Sequence, residues 1–420
     1  MNDGGTLGVW RGAALYIGAL IGPGVLLVPS LAVAAAGPAS ILAWAGLLVL
    51  SAPLAIAFAA LGVRHPVAGG VSAYVGEGFG PDAAAVTGAW FLAAVMLGAP
   101  AVSLIGGFYV ADLSGSGTAV AAAVGLAMFA VVLFANTLGL RVSSGFQLGL
   151  SSVLLGVMVV AISVALPSHA GHNWSPFAPH GWWAAGTAAS ILVWLFVGWE
   201  AVAQLAGEFS NPATQLPRAM AIAFGAVTVV YIGLAVATIA VGGVGGSRVP
   251  LADLIAVGFG RVGRDATAVL AVALTMGTMN VYIGGAAKLA AALADVGALP
   301  RFVGAGARER SIPRRPLVAI GIVGAVLLGA LVAGVGSTDD LVRATSACFV
   351  AVYVLALGSA VRILDGGGRV AAGAALALVV VVAVFSSYFL LVPFVVAALA
   401  LGLRHAVGRA GSRAAPATTE

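Results

Sequence analysis

Glu200 is a carboxylate in the middle of an apolar run, Val193-Trp-Leu-Phe-Val-Gly198-Trp199-Glu200. A charge at bilayer depth costs at least about 2.5–3.5 kcal/mol on insertion scales, and ionisable groups inside membranes belong to ion or substrate pathways by default. Two readings stay open: Glu200 takes up and releases a proton, or it caps peptide groups freed at Gly198 and has no part in flux. A second signal comes from the backbone, in Gly18-Ala-Leu-Ile-Gly22-Pro23-Gly24 followed by Pro29. Pro23 has no N–H to close the helical bond and crowds the preceding turn, while the glycines open non-helical angles. A helix is predicted to unwind here, and freed peptide groups must then line a protein-enclosed cavity or meet a ligand. A packing kink is the alternative, because Gly and Pro are common in membrane helices. The new half-helix ends would offer free N–H groups and partial positive charge to an anionic group such as a carboxylate.

The elements that must position these residues follow from composition. The chain has 420 residues, 61% of them hydrophobic and 8% charged, against roughly a quarter charged in soluble domains. Runs of about 20 apolar residues mark membrane spans. About twelve are expected, near 10–36, 39–61, 83–110, 118–135, 142–166, 182–207, 219–241, 266–293, 317–334, 341–361, 370–385 and 388–403, the last two divided only by Ser386 and Ser387. With the N-terminus inside, only Arg248, Arg261, Arg264 and Arg343 of the 19 Lys and Arg fall outside. Positive residues concentrate in cytoplasmic loops, so both termini are expected in the cytoplasm. The apolar stretch after Arg11 is too long for a signal peptide and is read as the first span. The basic residues are scattered, which argues against nucleic-acid binding. Cys348 is the only cysteine, excluding an intrachain disulfide or a thiolate zinc cluster.

The breaks fall in spans one and six. A five-helix repeat, being odd, inverts its second copy, and interrupted helices at matching positions of inverted halves mark a midplane transport site. The expected fold class is an all-α polytopic membrane protein with helices one and six discontinuous. Its expected divisions are 1–166 for the first repeat, 167–361 for the inverted second, and 362–420 for helices eleven and twelve with a cytoplasmic tail.

At these residues the chain resembles the amino acid–polyamine–organocation superfamily of permeases, and within it the bacterial exporters of methionine and branched-chain amino acids. The segment from Gly18 to Pro29 is similar to the first-helix motif, and His65-Pro66-Val-Ala-Gly69-Gly70-Val-Ser-Ala-Tyr74 to the loop after helix two. Phe196-Val-Gly198-Trp-Glu200, Glu208-Phe-Ser-Asn211-Pro212, Pro217-Arg218-Ala219 and Ala298-Leu-Pro300 resemble the signatures around helices six and eight. The resemblance implies a LeuT-like fold of five plus five helices with two more at the end. It further implies that backbone at Leu20, Ile21, Gly22 and Gly24 receives a substrate carboxylate, and that Phe196, Val197 and Gly198 receive the ammonium and side chain. Trp194 stands where the family often carries an aromatic gate. Pro23 departs from the Ser or Thr of many relatives, so one carboxylate contact is missing.

No second buried charge accompanies Glu200. A pocket of Met96, Trp194, Phe196, Asn280 and Tyr282, if helices three and eight face the site as that fold implies, suits a small neutral amino acid. Glu200 is the candidate for proton coupling, since the fifth span lacks the lysine some relatives carry. Sodium would need oxygen ligands; Thr275 and Thr278 are available, although a bond to their own helix is the simpler role. His169, His172 and His180 share an external loop, read as solvated rather than metal-binding. No cofactor is expected, and no enzyme is expected because intramembrane catalysis needs several converging polar groups. Eighteen Arg against one Lys points to a GC-rich bacterial genome and thus to a bacterial cytoplasmic membrane. The expected function is secondary active transport of small neutral amino acids, proton-coupled and outward, with uptake or exchange as the alternative.

Overall fold

The computed structural model describes residues 7–64, 70–140, 143–168, 171–200, 205–242, 244–304 and 313–413. His65 to Gly69 of the loop motif, His169, and Arg141, Arg308 and Arg310 of the charge pattern lie outside the described residues. Among the described residues the regular elements are helical, apart from one isolated bridge between Leu7 and Phe209. In order they are α1 (Val9–Leu20), α2 (Val28–Ala36), α3 (Ser40–Arg64), α4 (Gly70–Phe79), α5 (Pro81–Leu113), α6 (Thr118–Thr137), α7 (Ser144–Ala165) and α8 (Trp183–Leu192). There follow α9 (Pro212–Ala240), α10 (Pro250–Asp295), α11 (Arg301–Gly304), α12 (Arg314–Val332), α13 (Thr338–Ile363), α14 (Gly366–Phe385) and α15 (Leu391–Arg413).

Among the described residues, ten helices are long and apolar enough to cross a membrane. The expected spans at 10–36 and 182–207 are present as shorter pieces because the backbone is interrupted in both. After α1 the chain is extended at Gly22 (φ −112°, ψ −176°), makes a 3-10 turn at Pro23–Leu26, and resumes as α2. Pro23 and Pro29 each occupy the first turn of a new segment, where a missing N–H costs nothing. In the second break α8 passes into a 3-10 turn at Val193–Phe196, then into extended Val197 and Gly198 at φ 132°. That last angle is comfortable only for glycine.

Two features were not expected. The eighth span begins earlier, as α10 from Pro250, and bends at Gly260 (φ 54°, ψ −144°); α4 is a further short helix. Ser386 and Ser387 do divide the last two long helices.

Helix α5 is the spine, packing against α4, α6, α10, α13 and α15. Lipid gives little hydrophobic drive for helices to associate, so close backbone approach through small residues takes its place. A Cβ on Gly107 of α5 would lie 2.1 Å from the Ala121 carbonyl oxygen of α6, and one on Gly125 of α6 would lie 3.1 Å from the Ser103 oxygen. At the C-terminal end of α5, Arg264 donates from Nε and Nη2 to Asp112 and from Nη1 to Asp253, each at 2.6 Å. This fork joins α5 to both parts of the bent α10.

Because a backbone oxygen cannot step aside, Gly107→Ala is expected to cost about 1–3 kcal/mol. Thermal unfolding in detergent should show this loss, while Gly46→Ala on α3, where a Cβ meets nothing within 4 Å, should be neutral.

Candidate functional site

The two interruptions lie against each other. A Cβ on Gly198 would sit 2.8 Å from the Ala19 carbonyl oxygen, so the second break presses its backbone onto the end of α1. The Tyr231 hydroxyl of α9 stands between them and donates toward Leu20 O (2.8 Å) and Leu195 O (2.9 Å). Its one hydroxyl proton is thereby shared between a carbonyl from each break. Tyr109 of α5 donates to Leu26 O at 2.9 Å. Among the described residues, the N–H groups of Gly22 and Gly24 have no backbone partner.

Glu200 is buried, and its Oε2 accepts from the Gly198 N–H at 3.0 Å and from the Tyr353 hydroxyl of α13 at 2.6 Å. The carboxylate therefore caps the break and ties it to α13. Next to it the Trp199 indole donates to Ser51 Oγ on α3 at 3.1 Å.

A cavity of about 30 Å³ lies between the breaks, lined by Ala19, Leu20, Gly22, Pro23, Gly24, Trp194, Leu195, Val197, Tyr282 and Phe349. A ligand pocket commonly has roughly 300–1,000 Å³, so this conformation is closed around the site. Leu20, Gly22, Gly24, Trp194, Val197 and Tyr282 are brought together as expected for one cavity. Ile21 is buried beside it.

Five expected members do not line it, Ile21 and Gly198 in the breaks' backbone and three whose side chains lie elsewhere. Phe196 turns away and packs edge-on against Trp44 and Tyr231. In a 3-10 turn, residues three apart share a face, so Phe196 points with Val193, toward Leu47, Leu50 and Tyr353, and away from Trp194. Asn280 lines a different, larger cavity, because it is two residues from Tyr282 and such helical neighbours do not share a face. Met96 packs into the helix core, and α5 approaches Trp194 through Gly98 instead.

Tyr231, Tyr353 and Phe349 were not singled out from sequence. A tyrosine in an apolar span did carry a signal, since its buried hydroxyl needs a partner; Phe349 carried none. The Thr275 hydroxyl bonds its own helix at Ala271 O (2.8 Å), and Thr278 accepts from Gln147 Nε2 (3.3 Å). In the loop before α8 His172 is exposed, and His180 Nδ1 lies 3.0 Å from Ala35 O. No metal-binding group of His, Cys, Asp or Glu occurs among the described residues.

Tyr231→Phe keeps the aromatic packing and leaves two buried carbonyls without their donor. Thermal stability in detergent is expected to fall by about 1–2 kcal/mol; an unchanged midpoint would remove the bridging role.

Residues 7–404 match the family model described as amino acid permease. The chain is 33% identical over 395 residues to an uncharacterized amino acid permease, YecA, of Bacillus subtilis, covering 92% of each chain. It is 31% identical over 381 residues to the L-methionine/branched-chain amino acid exporter YjeH of Escherichia coli, covering 87% of this chain and 88% of that one. A branched-chain amino acid permease of Bacillus subtilis, BcaP, is 29% identical over 249 residues, 54% of this chain and 52% of its own. With ten long apolar helices among the described residues and two interrupted ones converging on one cavity, this multi-pass membrane protein belongs to the amino acid permease family.

Proposed function

We propose that the chain is a secondary active transporter that moves small neutral amino acids across the bacterial cytoplasmic membrane by alternating access. The observation that carries this reading is the pair of backbone breaks that share one cavity, held together by Tyr231. On this reading residues 1–166 and 167–361 are inverted five-helix repeats, 362–420 adds two helices and a tail, and both termini are cytoplasmic.

Gly22 and Gly24 line the cavity at the start of a helical segment, with no backbone partner for their N–H groups among the described residues, a setting in which a carboxylate is favoured. Pro23 lines the same cavity without an N–H to offer, so the carboxylate clamp has two backbone donors where three positions stand. Backbone carbonyls at the second break, around Val197 and Gly198, would take the ammonium. The lining is otherwise apolar, with Tyr282 its polar member. A charged substrate side chain would enter unpaired at high cost, which supports neutral, moderately apolar substrates. The substrates of two relatives, methionine and branched-chain amino acids for the exporter and branched-chain amino acids for the permease, fit that lining. Export is the proposed direction, from the exporter relative; the permease relative supports uptake or exchange as the second reading.

Glu200 is proposed as the proton-coupling group, because it is the carboxylate that holds the second break to α13. Labelled leucine in proteoliposomes tests the whole reading: saturable counterflow is expected, and conversion without translocation would refute transport. A Cβ on Gly22 meets nothing within 4 Å, so Gly22→Val projects into the cavity while the fold survives. Leucine flux should drop at least tenfold with an unchanged melting profile; parallel loss of both would return the break to a packing role. Glu200→Gln retains an acceptor for Gly198 or Tyr353, and is expected to flatten the pH dependence of flux. Unchanged pH profiles in both directions would remove the coupling role.

A further inference from the structure

A groove of about 550 Å³ runs between α3 and α9, apart from the central cavity. Its walls are apolar, with Ile56, Leu216, Met220 and Phe224 among them, and its one charged member is Arg64. Ser51, next to Ala52, accepts from the Trp199 indole, and the Phe224 ring lies 6.2 Å from that of Trp199. Ala52 and Phe224 therefore mark one end of the groove, in the interior of both helices. Arg64 and Ala213 mark the other, at the last residue of α3 and the first turn of α9. The two helices run antiparallel along it.

Both helices belong to membrane-spanning segments, and the lining residues Ile56 and Val63 are exposed, so the groove opens onto hydrocarbon. From Ala52 to Arg64 it follows α3 for about 18 Å, at 1.5 Å per residue. Half of a hydrocarbon core of about 30 Å is about 15 Å, so the groove has the depth of one leaflet and its charge lies at headgroup level. Wall atoms facing an empty groove forfeit contacts that an acyl chain supplies. The Arg64 side chain is 46% exposed, and its ion pair among the described residues is a single contact, Nη1 to Asp365 Oδ2 at 3.6 Å. That is beyond hydrogen-bond reach. Asp365 also meets Arg369 at 3.3 Å, so positive charge is in excess here. The guanidinium fork keeps donors for a phosphate, which it can bind through two parallel bonds.

We infer that the groove is a binding site for one bilayer phospholipid, with its phosphate on the Arg64 guanidinium and one acyl chain laid between α3 and α9 as far as Phe224. The inference does not depend on the transport reading above. In the proposed orientation the lipid belongs to the cytoplasmic leaflet. Its chain ends on Phe224, which packs on Trp199 beside Gly198, so one aromatic ring separates it from the second break.

Native mass spectrometry of the full chain, delipidated in detergent and titrated with dioleoylphosphatidylglycerol, tests this. Lipids are counted on the folded protein alone, so misfolding does not imitate lost binding. The first lipid is expected to bind more tightly than the next ones. Arg64→Gln should weaken that first step about fivefold and leave later steps unchanged. Ala221→Phe, which projects from an exposed lining position into the groove, should weaken it at least as much. Arg314→Gln, at an exposed arginine of α12 outside the groove, should not. Dioleoylglycerol, which lacks the phosphate, should bind wild type and Arg64→Gln equally. Successive lipids of equal affinity on wild type would mean annular lipid only and overturn the site. An unchanged first step in Arg64→Gln or Ala221→Phe, or an equal loss in Arg314→Gln, would overturn it as well.

Discussion

Peptide groups that have lost their helical partners inside an apolar protein govern this structure. Lipid supplies no hydrogen bonds, so each freed group must be served by protein, water or ligand. The division of labour is uneven. Carbonyl oxygens at both breaks are served permanently by tyrosine hydroxyls from helices that are themselves unbroken, Tyr231 and Tyr109. The N–H groups of Gly22 and Gly24 are not. The breaks therefore have bonded acceptors and unbonded donors among the described residues, the polarity on which the proposed carboxylate clamp rests.

Close approach is the other condition. Gly198 can lie on the Ala19 carbonyl because it has no side chain and tolerates its positive φ. The same economy, small residue against backbone, sets α5 on α6 through Gly107 and Gly125. Small residues thus serve two ends in one chain: at α5 and α6 they fix a spine, and at the breaks they let two backbones share one cavity.

How much of this was legible in the sequence depends on what each inference used. Gly-Pro-Gly and Gly198 were readable as breaks because their chemistry is local: a missing N–H and a missing Cβ act wherever they stand. Glu200 was readable because a buried carboxylate demands donors, and Gly198 and Tyr353 supply them. Facing was not legible. Phe196 was expected in the cavity, but the sequence does not say that α8 tightens into a 3-10 turn at Val193, which changes the angular step and turns Phe196 onto Trp44. Asn280 and Tyr282 were placed together although their spacing on a continuous helix separates them, an error that periodicity alone would have caught. Tyr231 was missed because its partners are carbonyls of other segments, visible only once the chain is folded.

Of the two readings of Glu200, the geometry shows the capping interaction, and its part in flux is the proposal made above. Its Oε2 is shared by an N–H of the second break and a hydroxyl of α13, so capping the break and joining it to a neighbouring helix are one interaction. A neutral acid accepts less strongly than a carboxylate, because charge-assisted hydrogen bonds are about twice as strong as neutral ones. Loss of charge at this atom therefore weakens the cap and the link to α13 together. On the proposal that Glu200 couples the flux, protonation would act directly on the bond that holds the second break in place.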